Sequence, residues 1–149
     1  MPLQPLDLDS LPAGSLIAID TAPLIYWLED HSRWGEAYAA LFEGIASDHW
    51  QGLLSTVSLA EVLTGPLLQQ REELAERYAA VLTDPACFRL VELTPGIAIG
   101  AARLRARYGL RLPAAVQLSS ALQAGAVALV THDRDFAGCT DLQILSAQL

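Results

Sequence analysis

Three acidic side chains, Asp20, Glu61 and Asp133, stand where short apolar runs end or where a helix has just begun. Asp20 closes SLIAID, Glu61 lies in Ser58-Leu-Ala-Glu61 shortly after GLLSTV, and Asp133 follows AVALVT. Two carboxylates held about 4 Å apart repel by about 4 kcal/mol at an effective dielectric near 20. Such a group calls for a proton or a cation, and hard oxygen ligands select Mg²⁺ or Mn²⁺. A divalent ion held there polarises a phosphoryl oxygen, activates water and stabilises a leaving alkoxide, so the pattern points to phosphodiester hydrolysis without a protein nucleophile.

Each residue also has an ordinary structural reading. Asp20 suits the N-terminus of the helix it precedes through the helix dipole, and Ser58-x-x-Glu61 reads as a capping box. In THDRDF, Asp133 and Asp135 read as turn residues that bond their own backbone, and Thr131 as a β-branched strand end.

For the acids to meet, the surrounding elements must bring distant segments to one edge. Ser15–Asp20 reads as a strand, and Thr21-Ala22-Pro23 opens a helix with Pro in its first turn. Apolar residues at helical intervals from Trp34 to Ile45 predict a helix over Arg33–Ser47. Gly52–Val57 reads as strand, Ser58 as the start of a helix that Gly65-Pro66 interrupts or kinks, and Glu72–Leu82 as further helix. Phe88–Leu93 reads as strand, Thr94-Pro95 as cap and first position of a helix to Tyr108, and Gly109 as its end. Pro113–Ala124 reads as helix, Ala126–Thr131 as a buried strand, His132–Asp141 as loop and Leu142–Leu145 as a last strand. Alternating strands and helices imply a mostly parallel sheet covered on both faces, with the site beyond the carboxyl ends of its strands. Asp20 and Asp133 then emerge on the same edge.

Composition narrows the function classes. A chain of 149 residues fits one domain spanning 1–149, and no apolar run approaches the roughly 18 residues that cross a bilayer. Met1–Ser15 has no Lys or Arg, which is wrong for a secretory signal, and reads as a short lead-in. Cys87 and Cys139 form no C-x-x-C pair and read as packed residues of a protein in the reducing cytoplasm. A net charge of −8 argues against indiscriminate nucleic-acid binding. All nine basic residues are Arg, with Arg103, Arg105, Arg107 and Arg111 close together, suited either to phosphate or to lying over apolar neighbours. His31, His49 and His132 share no ligand spacing, and the first two read as surface residues.

Taken together, Ile19-Asp20-Thr21 with Leu24-Ile25-Tyr26, then Ser58-Leu-Ala-Glu61-Val62, then Leu110-Arg-Leu-Pro-Ala-Ala-Val-Gln-Leu, and Leu129-Val-Thr-His-Asp-Arg-Asp-Phe136 resemble the PIN domain family. The likeness is strongest to the VapC-type toxins of bacterial toxin–antitoxin pairs. It implies a three-layer α/β/α sandwich on a central mostly parallel sheet, a Mg²⁺- or Mn²⁺-dependent endoribonuclease, an RNA substrate, a small antitoxin protein as partner and a homodimer. By position Asp20, Glu61 and Asp133 match family acids, Asp20 and Asp133 as metal ligands, with Thr131 and Asp135 in support. The family's Asp after the Pro of L-x-L-P is a principal metal ligand, and here that position is Ala114. Reduced metal affinity and rate are expected.

Receiver domains and haloacid-dehalogenase-like phosphatases also place an Asp after the first strand, but both usually need a Lys and this chain has none. No G-x-x-x-x-G-K-[ST] loop is present. Ala114 favours another class, a degenerate PIN module that binds a protein partner or RNA without cleaving it. Trp27, Trp34 and Trp50 then line a groove or a homodimer face, unless they are simply core and boundary residues.

Overall fold

A computed structural model of the chain describes residues 4–148. Six strands form one sheet: β1 (Gln4–Pro5), β2 (Leu16–Ile19), β3 (Gln51–Ser55), β4 (Phe88–Val91), β5 (Ala128–Val130) and β6 (Gln143–Ser146). Their order is β1-β6-β5-β2-β3-β4 and every pairing is parallel. Six helices join them: α1 (Thr21–Leu28), α2 (Trp34–Ala46), α3 (Thr56–Leu68), α4 (Glu72–Leu82), α5 (Pro95–Tyr108) and α6 (Leu112–Ala124).

Alternation along the strands sorts the core into two layers. Ala18, Leu53, Leu129 and Ile144 face α5 and α6, packing with Ile97, Leu104, Leu118 and Phe136. Ile17, Ile19, Leu54, Val130 and Leu145 face the other way, toward Leu24, Tyr38, Phe42, Val62 and Leu82 of α1 to α4. The expected α/β/α sandwich is therefore present, with helices on both faces. The three Cα positions of β5, buried on both faces, are too short a run to show a period of their own, which is why AVALVT reads only as apolar.

Helix boundaries follow local chemistry. The Thr94 hydroxyl accepts from the Ile97 N–H, Pro95 takes the first position of α5, and Gly109 ends the helix at φ 69°. Gly125 ends α6 in the same left-handed conformation, at φ 81°. Two boundaries differ from expectation. Helix α3 begins at Thr56 rather than Ser58, because β3 stops at Ser55 and that hydroxyl accepts from the Val57 N–H. Pro66 does not break α3; it sits within the last turn, and the helix closes at Leu68. The segment His132–Asp141 is not plain loop, since Arg134–Gly138 coils into a 3-10 turn. The lead-in is used as well, for Gln4 and Pro5 pair with Leu145 and Ser146 on the sheet edge.

The topology places the site. From β2 the chain moves outward to β3 and β4, then crosses back to β5 on the other side of β2 and moves outward again to β6. The direction reverses between β2 and β5, and a crevice opens beyond carboxyl ends at such a point. Asp20 follows β2 and Asp133 follows β5.

Candidate active site

At that crevice lies a cleft of about 390 Å³ whose lining includes Asp20, Thr21, Glu61, Arg111, Ala114, Gln117, His132, Asp133 and Arg134. The three acids from β2–α1, α3 and the β5 loop therefore share one cavity, as the strand ends require.

Asp20 caps α1 from extended backbone. Its Oδ1 accepts from the Thr21 N–H at 2.7 Å, and its Oδ2 accepts from the Thr131 hydroxyl at 2.7 Å. The residue is only 8% exposed. Burial pushes its carboxyl above the ordinary 3.8, and the charges of Asp133 and Glu61 push the same way against the hydrogen bonds from Thr131 and Thr21. Thr131, fully buried, also accepts from the Asp133 N–H at 2.9 Å, so one hydroxyl joins the two strand ends.

The raised value has a sign for stability. The folded chain holds the Asp20 proton more tightly than the unfolded chain, so stability from this group is greatest below 3.8 and is lost as pH rises through the folded-state value. Asp20→Asn keeps the cap acceptor for Thr21 and removes the buried charge, at the loss of the acceptor that Oδ2 offers the Thr131 hydroxyl. Removing the charge should raise Tm at neutral pH, each 1 kcal/mol gained moving it by about 2–4 °C in a chain of this size. Thermal melts across pH check it: the two proteins should converge in acid, and an Asn variant that melts lower at neutral pH would contradict the burial cost.

Glu61 lies in the second turn of α3, not at its cap. The capping-box reading fails because Ser55 takes that role, and Ser58 is buried inside the helix with a hydroxyl that bonds no partner. Glu61 Oε1 instead accepts from the Thr21 hydroxyl at 3.0 Å and from Gln117 Nε2 at 3.4 Å. Gln117 also donates to Thr21 Oγ1 at 3.2 Å, while its Oε1 is buried without a partner. Asp133 Oδ1 accepts from the Asp135 N–H at 2.9 Å, the turn bond that its sequence context suggested, and its Oδ2 lies 3.7 Å from Arg111 Nη2. Asp135 serves through its backbone; its side chain is exposed and does not line the cleft.

Ala114 occupies the first turn of α6, 7% exposed, and presents a methyl group to the cleft. Among the described residues, no group of three or more His, Cys, Asp or Glu side chains is arranged to hold a metal ion. Both oxygens of Asp20 and one each of Glu61 and Asp133 already accept from protein donors, and the fourth position has no oxygen. Magnesium prefers near-octahedral oxygen ligation completed by water, and with a methyl group at position 114 the cleft offers it a reduced set, in which Asp20 and Asp133 would be the ligands.

Several residues here were not singled out from sequence. His132 Nδ1 lies 2.7 Å from the Tyr38 hydroxyl, and its ring is boxed by Tyr26 (5.1 Å between centroids) and Trp34 (4.4 Å). Burial lowers its pKa from 6.5, and Arg134, Arg33 and His31 add to the effect. Gln117 is a polar residue inside the apolar run AAVQLSSAL, a signal that could have marked it. His31 is half-buried rather than free, its Nδ1 accepting from the Trp34 N–H, whereas His49 is exposed as expected. Trp27 stacks on Phe42 at 4.2 Å and Trp50 is buried, which leaves Trp34 as the tryptophan nearest the cleft. The arginine cluster also divides. Arg105 bonds the Leu110 carbonyl, Arg107 pairs with Asp141 at 3.0 Å, and Arg111 alone of the four lines the cleft. Both cysteines are free, Cys139 buried and Cys87 half-buried.

The PIN domain family model matches residues 17–140. No curated protein sequence matches the chain. A toxin–antitoxin complex from Klebsiella pneumoniae is similar in structure, with a TM-score of 0.64 and 24% identity over 85% of this chain and 94% of that one. VapBC2 from Rickettsia felis, bound to a DNA fragment from its promoter, is similar at a TM-score of 0.71 and 17% identity, covering 88% and 98% of the two chains. The sarcin–ricin-loop-cleaving toxin VapC20 of Mycobacterium tuberculosis gives 0.66 and 17%, covering 85% and 98%. Among the described residues, no helix is long and apolar enough to cross a membrane.

Proposed function

The chain belongs to the PIN domain family, and from that membership we propose that it is a catalytically degenerate, VapC-like module that holds RNA in its acidic cleft with little metal-dependent cleavage. One observation carries this reading: Ala114 supplies no oxygen to the cleft, and among the described residues no group of three or more His, Cys, Asp or Glu side chains is arranged to hold a metal ion. Without an ion, the negative charge is met by other means. Burial favours a proton on Asp20, and Arg111 stands beside Asp133. Arg111 and Arg134 offer guanidinium groups to phosphate at the same cleft.

A small antitoxin-like protein is the partner that the toxin–antitoxin relatives suggest, and a homodimer remains part of the proposal by family likeness. The competing reading, a working Mg²⁺- or Mn²⁺-dependent endoribonuclease, draws its support from the convergence of Asp20, Glu61 and Asp133 on one cavity.

Calorimetric titration of Mn²⁺ separates the two. The degenerate module should give no saturable binding at millimolar metal, and should retard single-stranded RNA in a gel without producing fragments. Fragments that vanish with chelator and with Asp20→Asn would restore the nuclease.

A further inference from the structure

His132 is held by more contacts than a loop residue needs, and one of its two nitrogens is left over. Nδ1 is taken by Tyr38, whereas Nε2 bonds no protein group among the described residues and is not among the buried unpartnered atoms. The residue lines the cleft beside Arg111 and Arg134. An unengaged nitrogen on an otherwise immobilised ring is a preorganised contact point.

The hydrogen-bond distances favour one tautomer of the ring. The Tyr38 hydroxyl has a single hydrogen; His132 Nδ1 lies 2.7 Å away and the Thr131 carbonyl 3.2 Å, and the Ser146 side chain also hydrogen-bonds with it. The shorter contact lies at the short end of the N–H···O range of about 2.7–3.2 Å and nearer the usual length for a hydroxyl donor. On that ground Tyr38 is assigned as the donor to Nδ1, with the Ala147 N–H donating to the phenol oxygen at 3.3 Å. Neutral imidazole then bears its hydrogen on Nε2, as a donor. Tyr26 and Trp34 pack around the ring and oppose its rotation.

We propose that His132 Nε2–H, Arg111 and Arg134 form a phosphate subsite for single-stranded RNA, with Tyr38 as the positioning residue that keeps the donor hydrogen on Nε2. This deepens the RNA-holding function proposed above and rests on it. Arg111 is engaged by Asp133 only loosely, at 3.7 Å and with its side chain 79% exposed, so a phosphate competes with one distant carboxylate oxygen for it. Asp133→Asn should then tighten RNA binding. A metal-ligand role for Asp133 calls for the opposite.

Anisotropy of a labelled single-stranded oligoribonucleotide in the presence of chelator tests the subsite. His132→Leu should weaken binding by about tenfold, the loss of one hydrogen bond to a charged group, while His132→Gln, whose amide places a donor near the same point, should recover most of it. Arg111→Gln should lower the slope of log affinity against log salt by about 0.7, the share of one phosphate contact on a single strand. His132→Leu should leave that slope unchanged. In parallel, long-range ¹⁵N spectra of the free protein should show the Nε2–H tautomer at His132, and uridine 3′-monophosphate should shift that ring.

An Nδ1–H tautomer, or equal RNA affinity in wild type and His132→Leu, would overturn the subsite while leaving RNA binding intact. Failure of wild type to bind RNA, with the His132 ring still shifted by the nucleotide, would overturn the RNA-holding function and keep the phosphate subsite. Loss of both signals would overturn both.

Discussion

Ala114→Asp should raise Mn²⁺-dependent RNA cleavage by orders of magnitude, and Asp20→Asn in the same protein should remove the gain. Position 114 is in the first turn of α6 and already faces the cleft, so its carboxylate would join Asp20, Glu61 and Asp133 without any change of backbone. In the absence of metal the new charge has a cost. Each carboxylate neighbour at about 4 Å opposes it by up to about 4 kcal/mol at an effective dielectric near 20, so metal-free Ala114→Asp should melt below the parent. Mn²⁺ should then restore Tm, since a ligand at one hundred times its Kd stabilises by about 2.7 kcal/mol. The parent should show no such rescue. Cleavage assays and melts with and without metal measure both arms. A variant that neither cuts nor responds to Mn²⁺ would mean that the cleft has lost more than one oxygen.

The second large effect concerns the scaffold. Tyr38→Ala should cost about 3–5 kcal/mol, the range for truncating a buried aromatic side chain, out of a typical total of about 5–15 kcal/mol. Tyr38 is fully buried among the residues that pack α1 and α2 on the sheet. Its hydroxyl also joins Thr131 at the end of β5, His132 in the following loop and Ala147 beyond β6. Urea denaturation would read the loss. A cost below about 1 kcal/mol would show that this junction is not what holds the cleft wall.

Much of this organisation was legible from residue types. The passage from apolar run to acid at Asp20 and at Asp133, with the strand–helix alternation, was enough to place both on one edge, and the motif around Leu110–Leu118 exposed Ala114 as the departure. Thr94-Pro95 and Gly109 marked both ends of α5, because caps and left-handed glycines act locally. Glu61 was harder. Ser55 and Ser58 are both plausible caps three residues apart, and the choice is made by where β3 runs out of partners on β4, since Ser55 still pairs with Val91. Gln117, Tyr38 and His132 escaped notice for a related reason. Each acquires its role from contacts across more than fifty residues of chain, which no local period encodes.

The Thr131 hydroxyl links the ends of two neighbouring strands by its own hydrogen bonds, donating to the Asp20 carboxylate on one side and accepting from the Asp133 amide on the other. Chelators should accordingly leave the folded shape undisturbed. The bonds that close this corner of the molecule do not involve position 114, so exchanging that one small side chain leaves them in place.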